Sequence, residues 1–344
     1  MLGIEAKKTD EWKCTSRNRD VAVDYFKMLA TLLVMNSHAE ALYPKYQFLA
    51  SGGAIGDALF MFCSGFTLFI GTMGRFDNYY KRRLSRIVPS MVAVSILMVI
   101  VAFFHGDSLA GKDIGITLTT KNYLYWKLLF YIPLFYVRKY FSNKLGGVLF
   151  VIAVMVAVAY YFFPFKHETG AKGMWGSLYH NWKWFWYFVI MFWGAYIGKI
   201  RDRLCLRPIL DSILCLFCFI GFYMFPMLSK KNQEIAPYQV FMIPLLMGFC
   251  YYLYKVLSAD LFIKLYQLKL ANWLILVIGG LCLESYLIHM KLFTPELNTI
   301  FPLNLLIIYI AVLFVAYIVR CIARTFLQTF QKEDYNWNKV FSIK

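Results

Sequence analysis

Residues 302–328, PLNLLIIYIAVLFVAYIVRCIARTFLQ, decide the fold, because the first 18 of them, through Val319, carry no charge. Apolar runs of about 17 to 25 residues match the thickness of a bilayer and read as membrane-crossing helices. Residues 86–104, RIVPSMVAVSILMVIVAFF, read the same way. The whole chain agrees: 344 residues that are 60% apolar, 19% aromatic and only 16% charged are too apolar for a soluble protein of this length.

Working outward, ten such segments are found, at 22–40, 52–72, 86–104, 122–139, 146–165, 183–199, 209–228, 237–257, 273–291 and 302–328. The expectation is an all-α polytopic membrane protein with about ten transmembrane helices. Lys127 and Pro133 leave an interfacial or broken helix as the alternative at 122–139, which would invert the topology after it. The Lys and Arg distribution favours ten. The N-terminus, alternate loops and the C-terminus hold 25 of these residues, and the other five loops hold 8. Cytoplasmic loops collect Lys and Arg, so both termini are expected in the cytoplasm. The net charge of +17 then needs no nucleic-acid partner, since anionic lipid and the insertion rule account for it.

The expected organisation is a cytoplasmic tail over 1–21, one integral-membrane domain over 22–328 and a second cytoplasmic tail over 329–344. Residues 1–20 are polar and charged, so no cleavable signal peptide is read. Of the eight cysteines none falls in an outer loop, and no disulfide framework is expected. Cys215 and Cys218 have CxxC spacing, but within an apolar helix they read as packing residues rather than a metal or redox site.

The first segment is the anomaly. Its core, DYFKMLATLLVMNSH at 24–38, carries Asp24, Lys27 and His38 on one stripe of an otherwise apolar helix. Lys27 and His38 lie 11 positions apart, close to three turns and roughly 16 Å along the axis. A charge at the bilayer centre costs about 2.5 to 3.5 kcal/mol, so this face needs partners or a wet cavity.

Other polar residues sort by depth. Asp57, within the first turns of the second segment, is expected at the level of His38, where a carboxylate would fix the imidazole tautomer and raise its basicity. A carboxylate satisfied by helix N-terminal amides is the plainer alternative. The ninth segment ends in LCLESYLIHM and carries Glu284 and His289. About 140° of helix separates them, so they cannot share a face. His289 falls at a boundary where an interfacial histidine is unremarkable, and Glu284 is the stronger functional candidate.

On the cytoplasmic side, YYKRRLSRIVPS at 79–90 gathers Lys81, Arg82, Arg83 and Arg86, with Pro89 fitting the first turn of a helix. It reads either as a positive-inside anchor or as a phosphate clamp, for which Arg offers bidentate geometry. Ser64 and Gly65, mid-segment, read as close helix packing or as room for a substrate. His180, Trp182, Trp184 and Trp186 read first as an aromatic belt, with sugar stacking as the alternative.

Together these motifs resemble the acyltransferase type-three family of integral-membrane O-acyltransferases, which typically have ten spans. DYFKMLATLLVMNSH resembles the family's opening pattern of Asp, a basic residue three on, and a histidine fourteen after the Asp, with Lys27 where relatives often carry Arg. GGAIGDALFMFCSGF at 52–66 is similar to its second span, and RRLSRIVP at 82–89 matches its arginine pair and proline. CLESYLIH at 282–289 resembles its ninth span, with Cys282 where serine is usual.

The resemblance implies an acyl-CoA donor, most commonly acetyl-CoA, and no metal. Its phosphates would rest on Arg83 and Arg86, with Arg82 and Lys27 nearby. His38 would act on an acceptor hydroxyl, oriented by Asp57 or Glu284, with Asp24, Ser64 and His289 in support. The implied acceptor is a glycan or lipid-linked sugar, the implied setting a bacterial inner (cytoplasmic) membrane, and glycan-assembly enzymes are the implied partners. The competing class is a secondary transporter using the buried Asp, Lys, His and Glu as an ion path. The paired, Gly/Pro-broken spans such transporters often show are not found.

Overall fold

The structure, a computed structural model, describes residues 19–105, 122–162 and 183–342. In chain order the helices are α1 (Val21–Ser37), α2 (Gly53–Ile70), α3 (Phe76–His105), α4 (Asn122–Phe141), α5 (Leu145–Phe162), α6 (Lys183–Ile200), α7 (Pro208–Lys231), α8 (Met242–Leu257), α9 (Asp260–Gln267), α10 (Lys269–Gly280), α11 (Cys282–Leu292), α12 (Leu303–Thr329) and α13 (Trp337–Phe341). Among the described residues there is no strand. This is a multi-pass membrane protein. Its outer faces are apolar to a degree water would penalise: Ile209 is 81% exposed and Phe314 64%.

Each of the ten expected segments falls on helix, but by length and composition six stretches among the described residues can cross a membrane. A seventh is added if α9 and α10, bent by 94° at their junction, form one broken span. The ninth expected segment is itself interrupted, since Leu281 separates α10 from α11. In contrast, α4 runs unbroken through Pro133.

The expectation for Pro89 needs correction. It stands thirteen residues inside α3, which begins at Phe76 and takes in the whole basic cluster. The cause is an aromatic seam: Phe76 and Tyr79 pack on Phe135, at 5.2 and 4.9 Å between ring centroids. That contact holds the earlier turns in helix, at the expense of the backbone bond Pro89 cannot donate.

Two compact units share the chain. Among the described residues, one comprises 19–27, 57–71, 141–162 and 183–275, the other 28–56, 72–105, 122–140 and 276–342. In the first, α2 and α6 meet backbone to backbone. A Cβ on Gly65 would run into the Met191 carbonyl, and one on Gly194 into the Phe62 carbonyl. Gly65 is therefore a packing residue, and beside it Ser64 donates to the Phe60 carbonyl at 2.8 Å, one turn back. Phe26, Phe62, Phe66 and Tyr254 close over this seam with ring centroids 5.1 to 6.4 Å apart.

In the same unit α7 starts on Pro208, whose missing N–H costs nothing at that position. Asp211 accepts the Arg207 N–H at 2.7 Å and the Lys255 ammonium of α8 at 2.5 Å. Cys218 packs against Gly248, where a Cβ would stand 2.8 Å from its sulfur. Trp184 and Trp186 are buried, Trp186 edge-on to Tyr160 at 5.2 Å, so they fill the interior rather than forming a belt. His180 and Trp182 lie outside the described residues.

The second unit is built on α3, α11 and α12, which pack on one another. Gly52 ends its loop at φ +103°, a conformation that suits glycine alone, and a Cβ there would also strike Leu33.

Widening Gly65 to Val is expected to cost about 1–3 kcal/mol or more through overpacking, seen as a lower melting temperature of the purified protein. Gly147→Ala, where an added Cβ meets nothing within 4 Å, should leave melting unchanged or slightly raised.

Candidate functional site

The polar residues gather into separate clusters. In the second unit, α1 ends at Ser37 and releases His38 into the loop, exposed. Asn36 organises that loop. Its amide donates to the carbonyls of Leu49 (2.7 Å) and Ser51 (3.0 Å), and its oxygen accepts from the hydroxyls of Tyr43 (2.6 Å) and Tyr309 (3.3 Å). Those four bonds use the full capacity of an amide side chain, so the loop is tied at both ends beside the histidine. Asn304 on α12 adds a second tie, donating to the Leu42 carbonyl at 2.8 Å.

The ring that meets His38 is that of His289, with centroids 5.1 Å apart and planes inclined by 39°. His289 is buried, 1% exposed. Its Nδ1 lies 2.9 Å from the Ser285 carbonyl, one turn back on α11. A carbonyl only accepts, so Nδ1 carries the proton and the tautomer is fixed. Phe293 and Tyr286 pack on the same ring at 5.6 and 6.1 Å. Glu284, on another face of α11, is buried and accepts from Ser90 of α3 at 3.0 Å. The chain thus brings His38 and His289 together and turns Glu284 toward α3.

In the first unit Asp24 is the centre. It accepts from Arg19 and from Tyr266 at 2.9 Å, and forms an ion pair with the Lys27 ammonium at 3.5 Å. The Asp24 and Lys27 pairing that their spacing allows is therefore present, with two further donors the sequence did not reveal. Next to it, burial lifts the Asp20 carboxyl above its ordinary value, against the opposing hydrogen bond from Tyr254. Asp57 belongs to this unit too, where the Tyr187 hydroxyl donates to it at 3.4 Å. On α3, in the second unit, Arg83 is half-buried with its guanidinium 5.4 Å from the Tyr79 ring. Arg86 is exposed, and Arg82, also exposed, turns back to the Asn78 carbonyl at 3.2 Å.

Against known families, the model described as an acyltransferase domain, of the type-three class, matches residues 20–321. The chain belongs to the acyltransferase type-three family. No curated protein and no solved structure gives a match.

The match begins at Asp20 and ends at Cys321, so this membrane acyltransferase holds every candidate named above within its family domain. It leaves out Arg324, which acts electrostatically on Glu284 and ties α13 to α12 through the carbonyls of Lys339 and Val340. Asn36, Ser90 and Tyr187 were missed in the sequence. A neutral amide two positions before His38 was the one available signal, and only its four bonds reveal its role.

Removing the Asp24 carboxylate (Asp24→Ala) strips Arg19, Lys27 and Tyr266 of their acceptor together. It is expected to destabilise by about 3 kcal/mol, as breaking a buried pair does. Lys27→Ala leaves two donors on Asp24 and should cost under about 1 kcal/mol. Thermal melting of the two variants in one detergent measures the difference.

Proposed function

We propose that the protein is an O-acyltransferase that moves an acyl group, acetyl in the first instance, from acyl-CoA to a hydroxyl of a cell-surface or lipid-linked glycan. The observation that supports this most is the exposed His38 ring backed by His289. An imidazole at a helix end, open to substrate on one side and held on the other, is suited to take a hydroxyl proton. In this reading His38 accepts the proton as the acceptor oxygen attacks the thioester carbon. The C–O bond forms, the tetrahedral intermediate collapses with loss of the C–S bond, and the CoA thiolate takes the proton back from His38. His289, with its tautomer fixed by Ser285, keeps the His38 ring in place. Glu284, in the same unit as His38, is the carboxylate proposed to hold charge near the reaction, while Asp57 belongs to the other unit, as does Ser64, which supports the helix seam there.

The donor is proposed to approach from the cytoplasm, with Arg83, Arg86 and Arg82 attracting its phosphates. The same reading has ten crossings, both termini in the cytoplasm and a bacterial inner membrane as the setting, with the Lys and Arg bias of the loops in support.

The test supplies membranes containing the protein, or its His38→Ala variant, with labelled acetyl-CoA and surface glycan. Wild-type membranes should transfer label, and the variant should lose about two to four orders of magnitude, the usual worth of a general base. Transfer that survives in the variant rules out His38 as the base. Absence of transfer in the wild type with any acyl donor rules out the reaction.

A further inference from the structure

The chain beyond Thr329 does not run on as a free tail. It turns at the charged residues Lys332, Glu333 and Asp334, all exposed, and comes back along α12. Near the turn the hydroxyls of Thr329 and Tyr335 meet at 2.8 Å, and the Gln328 side-chain oxygen accepts the Asn336 N–H at 2.7 Å. Farther back the Arg324 guanidinium donates to the carbonyls of Lys339 at 2.9 Å, Val340 at 3.2 Å and Ser342. Last, the Tyr317 hydroxyl donates to the Phe341 carbonyl at 2.9 Å. As numbers rise in the tail they fall along α12, from Gln328 to Tyr317, so the two run antiparallel. That stretch of α12 is about 16 Å of helix, and helical side chains lean toward their own N-terminus, so Phe341 stands no farther out than Tyr317.

The depth scale comes from α12 itself, which is long and apolar enough to cross a membrane. Residues 303–319 carry no charge and make about 25 Å of helix, most of the hydrocarbon thickness, and Arg320 and Arg324 follow. The hydrocarbon edge therefore falls near Arg320, where the returning limb ends, since a cation at the end of a span reaches for the headgroups. On that limb Val340 is buried, while Tyr335, Trp337 and Phe341 are exposed. Their rings stack in a row, Tyr335 on Trp337 at 5.5 Å and Trp337 on Phe341 at 6.0 Å, with planes inclined by 18° and 20°. Trp337 and Phe341 share one face of α13, with Lys339 on the opposite one. Three stacked aromatics facing water would be penalised, whereas the headgroup layer is where such rings are favoured. With only five residues, α13 is too short to hold as a helix alone, so its bonds to α12 must keep it there. We propose that 335–342 is an interfacial anchor, clasped by Arg324 and Tyr317, whose aromatic row lies among phospholipid headgroups. It lies outside the matched family domain, which ends at residue 321, and is independent of the acyl-transfer reading.

The experiment places photoreactive p-benzoylphenylalanine at single positions of the full chain in phosphatidylcholine nanodiscs, irradiates, and measures phospholipid adducts on the labelled peptide by mass spectrometry. Trp337→p-benzoylphenylalanine should give several times the lipid adduct of Glu333→p-benzoylphenylalanine, which sits at the turn, and the same label at Phe341 should match Trp337. Equal yields at Trp337 and Glu333, or lipid adduct at neither, overturn the anchor. Crosslinking of the Trp337 label to a second copy of the chain in place of lipid also overturns it, and makes this face a contact between copies. Adding Arg324→Ala should release the limb and cut the Trp337 adduct severalfold. If that variant does not fold, Tyr317→Phe, which deletes only the hydroxyl, should cut it in the same direction. An undiminished adduct in a folded variant of either kind overturns the clasp.

Discussion

Hydrocarbon offers no hydrogen bonds, so each polar group in a membrane helix must find its partner within the protein. The polar interior of this chain is organised by that constraint. Asp24 gathers Arg19, Lys27 and Tyr266, Asp211 takes Lys255, and Glu284 takes Ser90. Three of these pairings join segments distant in sequence, Asp211 with Lys255 and, by about 200 positions or more, Glu284 with Ser90 and Asp24 with Tyr266. Association driven by apolar burial alone would be weak among lipids, which are as apolar as the helices. These polar ties and the Gly65 and Gly194 backbone contact supply the specificity that apolar burial lacks.

The same constraint makes the exceptions informative. His38 is exposed at a helix end, in a loop that Asn36 and Asn304 hold by their amides. A rigid loop presenting one imidazole, with a second imidazole buried behind it, suits the type-three acyltransferase domain to which the chain belongs. Arg83 is exceptional in the opposite sense, a half-buried cation seated against the Tyr79 ring. Both exceptions sit where a helix ends or where aromatic packing prolongs it, the places where a membrane protein can afford polar chemistry.

Much of the helical layout was legible because it follows from local composition. Apolar length marked where helices lie, and the three-residue spacing of Asp24 and Lys27 is compatible with the pairing they make. Pro89 was misread because a proline is compatible with a first turn, and only Phe135 on a distant helix keeps the preceding turns helical. The neighbours of His289 were hidden for a similar reason: position along a segment gives depth, but burial depends on which helices surround it. The number of membrane crossings is equally hard to read, since α9 and α10 bend by 94° at their junction and count as one span or none according to how that bend is taken.

The sequence by itself determined the class, an all-helical membrane protein, and the family, because hydropathy and short motifs are properties of contiguous residues. Tertiary structure alone decided the neighbours: His289 beside His38, Ser90 on Glu284, Phe135 on Tyr79. The physical reason is that helical periodicity fixes the direction of a side chain from its own axis and says nothing about what stands opposite. That is set by close packing and by the search of each buried polar group for a partner elsewhere in the chain.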